Sequence, residues 1–137
     1  MGYNSSLEGE ITFTPPIPWS ELQGSAFVRT PERREYERLV WLRMVEETVE
    51  TDEGTLTRKH AVAIRPSEGD ELRAGKLAHE VQEIVSKHGA GRTFEGFILV
   101  RGEESPDLWR VTVEAGKAIE VIPRIVWPDG TEETPYR

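Results

Sequence analysis

The stretch Tyr36-Glu-Arg-Leu-Val-Trp-Leu-Arg-Met-Val-Glu-Glu-Thr-Val49, followed by Thr51-Asp-Glu-Gly54 and Thr55-Leu-Thr-Arg-Lys-His-Ala-Val-Ala-Ile-Arg65, decides the fold. Two runs rich in β-branched and apolar residues flank a turn whose glycine can take a positive φ, so the segment reads as a long β-hairpin. On its second arm, Leu56, His60, Val62 and Ile64 are expected on one side. Upstream, residues 7–14 alternate with Leu7, Ile11 and Phe13 on one face, the signature of a half-buried strand. Pro15, Pro16 and Pro18 are expected to end that strand, because proline donates nothing to a sheet ladder. A short helix over Pro18–Gln23, stopped by Gly24, and a loop over residues 24–35 lead into the hairpin.

Downstream, Leu77, Val81, Ile84, Val85 and His88 recur at helical spacing with Ala74 and Ala78 beside them. They predict a long helix over residues 67–88, capped by Ser67 or Asp70 and closed by Gly89 and Gly91. Strands over 93–101, 108–114 and 117–127 follow as a meander, with residues 128–137 as a frayed tail. The order β-α-β-β-α-β-β-β predicts a single α+β domain over residues 1–137, a ferredoxin-like βαββαβ with two additional C-terminal antiparallel strands and both helices on one sheet face. Hairpin adjacency orders its strands 6-5-4-1-3-2, and Pro123 then falls on an edge strand, where proline is tolerated.

Composition sets bounds on function. Leu, Ile, Val and Phe are 33 of 137 residues, enough for a core, and no apolar run approaches the roughly 18 residues of a membrane span. The N-terminal 30 residues lack the basic and apolar regions of a secretory leader, and cysteine is absent, which fits a reducing cytoplasm. The net charge of −8 argues against a broad nucleic-acid surface, since such binding needs Lys and Arg to displace counterions. Charge is nevertheless uneven: residues 28–43 carry five Arg against three Glu, and residues 46–53 carry five acids and no base.

The face away from the helices carries the main functional expectation. Strand five alternates cleanly, Trp109, Val111 and Val113 against Arg110, Thr112 and Glu114, but strands two, four and six are apolar on both sides. Burial on both faces then needs a second cover, either the chain's own loop or tail or another protein. The candidate interface is Leu42, Met44, Phe97, Leu99, Ile122 and Val126, with Trp41 as a neighbouring anchor. The partner is expected to be a second copy (a homo-oligomer) or a host protein.

Catalytic, cofactor and metal motifs are lacking. His60, His79 and His88 are scattered, and His79-Glu80 has no second His four residues on. His79 is expected in solvent, His60 at the rim of the core, and a protonated His88 at the negative end of its helix. Gly89-Ala90-Gly91-Arg92 follows a helix instead of preceding one, so it reads as a cap and not a phosphate loop. Glu103, Glu104 and Asp107 match no calcium loop. The alternative to an interaction module is a small-ligand or nucleotide binder, or a weak enzyme, holding an anion on Arg29, Arg33, Arg34 and Arg38, since guanidinium forks suit phosphate.

Met1-Gly2-Tyr3, Gly9-Glu10-Ile11 and Pro15-Pro16-Ile17-Pro18-Trp19-Ser20-Glu21 form a distinctive N-terminal pattern. With Phe94-Glu95-Gly96, Gly102-Glu103-Glu104, Asp107-Leu108-Trp109-Arg110 and Ile125-Val126-Trp127, it resembles an uncharacterised family of small actinobacterial and actinophage proteins. The resemblance spans most of the chain outside residues 24–35. It implies a bacterial or phage cytosolic setting and carries no catalytic residues over.

Overall fold

The computed structural model describes residues 4–104 and 107–134. Six strands form one antiparallel sheet: β1 (Ser5–Pro18), β2 (Val40–Thr51), β3 (Gly54–Pro66), β4 (Thr93–Gly102), β5 (Leu108–Glu114) and β6 (Lys117–Val121). They lie in the order β2-β3-β1-β4-β5-β6, the order hairpin adjacency predicts. Two-residue strands β7 (Ile125–Val126) and β8 (Glu132–Glu133) pair as a separate small hairpin.

The ferredoxin-like α+β expectation is overturned. Strand accounts for 51% of the structure and helix for 17%, and there is one helix of substance, α2 (Leu77–His88). Helix α1 (Trp19–Leu22) is a single turn without a side-chain cap, too short to form half of a helical layer. The long helix also starts ten residues later than its periodicity suggests. Leu72 and Ser5 exchange backbone hydrogen bonds at 2.6 and 3.0 Å, which pins Leu72 beside β1 and keeps the irregular residues 67–73 out of the helix. Ser67 is buried with its hydroxyl turned to the Glu35 carbonyl at 2.8 Å, so it caps nothing.

Three further expectations are corrected by tertiary context. Strand β1 runs through Pro15 and Pro16, because its register with β3 breaks between Thr12 and Ile17 and a proline in that break forfeits no ladder bond. Arg92, whose side chain is 11% exposed, fastens the break by donating to Pro15 O at 2.9 Å, Pro16 O at 3.1 Å and His88 O at 2.7 Å. The last main strand stops at Val121, before Pro123, and residues 125–133 form a hairpin where the end of that strand and, from 128 on, a frayed tail were expected; residues 135–137 of that tail lie outside the described residues. In β3, a bulge between Ala61 and Ala63 opposite Arg43 and Met44 moves Leu56 and His60 to the face opposite Ile64.

The core lies between the sheet and α2. Ile11, Phe13, Ile64, Ile98, Val100, Val111 and Trp109 meet Leu77, Val81, Ile84 and Val85 there. Phe27 and Val28 close its β2 end, where the Leu42 amide donates to Phe27 O at 2.8 Å. Among the described residues no α-helix packs on the other face.

Candidate functional site

The register separates the residues expected to share one interface. Leu42 pairs with Ile64 on the core side and is 2% exposed, and Met44 packs against the same core. Phe97 and Leu99 pair with Glu10 and Glu8 on the helix-free face. Ile122 lies beyond β6 and Val126 in the small hairpin, both exposed. Only Phe97 and Leu99 of the six therefore stand together on the open sheet.

Trp41 does point to that face, yet it is fully buried. The cover comes from the segment that precedes it. Its indole N–H donates to Glu35 O at 2.9 Å and Ser67 Oγ at 3.1 Å, and the Arg29 guanidinium lies 5.6 Å from its ring centroid. Glu35 is the knot of this cover: Arg65 grips its carboxylate at 2.6 and 3.2 Å, Arg29 reaches it at 3.1 Å and the Glu68 amide at 3.0 Å. Arg65 above all holds the Glu35 carboxyl down at about 2, from an ordinary 4.5. A depressed acid pKa stabilises the fold above the unfolded value and loses that contribution as pH falls toward the folded one. Glu35→Gln should therefore lower the urea midpoint at pH 7, and the gap to the native protein should close between about pH 4.5 and about pH 2. A gap independent of pH in urea titrations would remove the ionic account.

The basic segment does not converge on an anion. Arg29 also donates to Thr30 O at 2.7 Å and to Arg33 O. Arg33 donates to Ser25 O at 2.5 Å and Val28 O at 2.7 Å, and Arg34 reaches the Tyr36 hydroxyl at 3.2 Å. Arg38 stacks 5.3 Å from the Phe27 ring. These side chains staple their own loop.

Two hollows remain. The larger, about 800 Å3, lies between residues 36–39 and 68–80, lined by Arg38, Arg73 and Lys76 but equally by Glu37, Glu68, Asp70, Glu71 and Glu80. Burial raises the pKa of Glu80, whose carboxylate accepts the Leu39 amide at 3.0 Å. That bond ties α2 to β2, and no histidine, serine or threonine lines the cleft to act with it. The smaller, about 330 Å3, opens on the helix-free face among Leu99, Arg101, Leu108, Arg110, Val121 and Pro123. Beside it the Arg110 guanidinium sits 3.9 Å from the Phe97 ring centroid, with Phe97 37% and Val121 39% exposed. Arg101–Glu8 at 2.8 Å and a two-pronged Arg43–Glu10 pair at 3.0 Å match charges across β1 on the same face.

The histidines stay apart. His79 is exposed beside Glu83 at 3.2 Å. His60 is half-buried opposite Pro18. His88 departs from expectation: burial lowers its pKa and so works against the protonated form, while Glu21, 4.0 Å away, opposes that shift. Among the described residues no cluster of His, Asp and Glu is arranged to hold a metal, and Glu103 accepts the Asn4 amide at 3.2 Å. Glu35, Ser67 and Arg92 are the organising polar residues that sequence reasoning missed, since the bonds Glu35–Arg65, Ser67–Glu35 and Arg92–Pro15 each span 30 or more positions and no spacing rule reaches them.

The chain belongs to a family of unknown function, DUF6205, whose family model matches residues 1–135. No curated protein and no solved structure matches it. No helix among the described residues is long and apolar enough to cross a membrane.

Proposed function

We propose that the protein is a non-enzymatic interaction module that binds a protein partner on the helix-free face of its sheet, centred on Phe97, Leu99 and Val121. One observation carries this reading: large apolar side chains stand exposed around a hollow, next to the Arg110 guanidinium. Arginine beside apolar and aromatic groups is the composition of an interface centre. None of the ion pairs among the described residues includes Arg110 or Glu95, and both lie on this face by register. A two-fold axis through this face would let Arg110 of each copy meet Glu95 of the other, which makes a second copy the occupant to test first. The bacterial or phage cytosol is the setting we assign, on the N-terminal resemblance and the absence of cysteine. The arginines of residues 29–38 give the nucleotide-binding alternative no support, being engaged with their own loop.

Sedimentation equilibrium tests this. The expected result is a reversible dimer that Leu99→Lys converts to a folded monomer. Arg110→Glu should weaken it at least tenfold, and adding Glu95→Arg should restore it. A native protein that stays monomeric at millimolar concentration overturns self-association on this face.

A further inference from the structure

We infer that the outer edge of β2, from Met44 to Glu50, accepts an extended Lys- or Arg-rich peptide as an added strand. This surface is separate from the open sheet face and does not depend on it. Backbone direction alternates along a strand, so one known contact fixes the rest. The Leu42 amide donates outward to Phe27 O at 2.8 Å, and at the far end Thr51 pairs inward with Gly54 to close the hairpin. The N–H and C=O groups of Met44, Glu46, Thr48 and Glu50 therefore point away from β3. No backbone hydrogen bond among the described residues reaches them, the contact with residues 24–38 being that of Leu42 with Phe27, and β2 is the edge strand of its sheet. Four outward residues at two-residue spacing give roughly 20 Å of open edge, room for a short strand.

The side chains choose the occupant. Glu46, Glu47 and Glu50 flank this edge, and Asp52 and Glu53 follow at the tip, five acids against two cations of the neighbouring strand, Lys59, 3.4 Å from Glu46, and Arg58, opposite Glu47 in the register. Like charges oppose a second copy pairing edge to edge, and the same charges attract a basic strand. The opposite edge of the hairpin, at residues 55–59, is the poorer candidate, because Lys59 folds over the Trp19 ring at 5.7 Å and the outward charge there is not acidic. Strand addition draws affinity from backbone pairing and specificity from the flanking side chains.

The probe is a fluorescein-labelled ten-residue peptide of alternating Lys and Thr, titrated into the full chain at low salt and at 0.15 M salt. Amide exchange should slow at Met44, Glu46, Thr48 and Glu50, with Val45, Glu47 and Val49, already bonded to β3, unchanged. Thr48→Pro removes one outward donor and no charge, and should weaken binding at least tenfold. Glu46→Gln with Glu50→Gln should weaken it severalfold and flatten the salt dependence. Binding without that alternating protection, or equal affinity of a folded Thr48→Pro variant, would show a merely electrostatic contact and overturn the inference. No binding overturns it as well. If Thr48→Pro disturbs the hairpin, the exchange pattern of the native chain decides alone.

Discussion

Leu42→Lys should leave no folded protein at 25 °C, whereas Leu99→Lys should fold normally. The two leucines have the same chemistry and both sit mid-strand. Leu42, however, is 2% exposed, paired with Ile64 and enclosed by the core under α2, and Leu99 lies on the helix-free face. An ammonium at position 42 has no carboxylate partner within that core and must be desolvated or neutralised, at a cost of about 5 kcal/mol once the lost leucine packing is included. That approaches the whole stability of an ordinary domain. Circular dichroism and urea titration of the two single variants check it. A folded Leu42→Lys protein would mean that β2 is not held as described.

The contrast between these leucines shows where sequence reasoning stopped. The hairpin, the clean alternation of β5 and the strand order follow from local patterns and short connections, so they were legible. The two-helix layer was not. Residues 67–76 share the helical period of α2, but two backbone bonds between Leu72 and Ser5 hold part of them beside β1. The doubly apolar pattern of β2 was read correctly as burial on both sides, yet its cause at Trp41 is the chain's own residues 29–38, organised by Glu35 and Arg65. An acidic residue in a charged loop gives no local sign that it will knot two strands and a turn. The candidate interface failed to assemble for a related reason: both sides of β2 are apolar, so periodicity does not say which side meets the core, and it is the pairing of Leu42 with Ile64 that does, while β6 ends before Ile122.

A pair of glycines sets the other large effect. Gly9 in β1 and Gly96 in β4 adopt φ of +89° and +94°, and they flank the cross-strand pair Glu10 and Phe97. A Cβ on Gly9 would stand 2.6 Å from Phe97 O, and one on Gly96 would stand 2.5 Å from Glu10 O. Each methyl group thus meets a carbonyl of the neighbouring strand, which can retreat only if β1 and β4 part. Both are inner strands of the sheet, and Ile11 and Ile98 beside them are fully buried. Backbone strain of roughly 1–2 kcal/mol and overpacking of roughly 1–3 kcal/mol act together at each site. Gly96→Ala should therefore destabilise by about 3–4 kcal/mol, and Gly9→Ala by a similar amount. Gly24, with φ of +80° but nothing within 4 Å of its virtual Cβ, isolates the strain, so Gly24→Ala should cost only about 1 kcal/mol. Equal urea midpoints for Gly24→Ala and Gly96→Ala would mean that interstrand contact contributes nothing. A clear excess for Gly96→Ala locates the cost in the close approach of β1 and β4 next to Phe97.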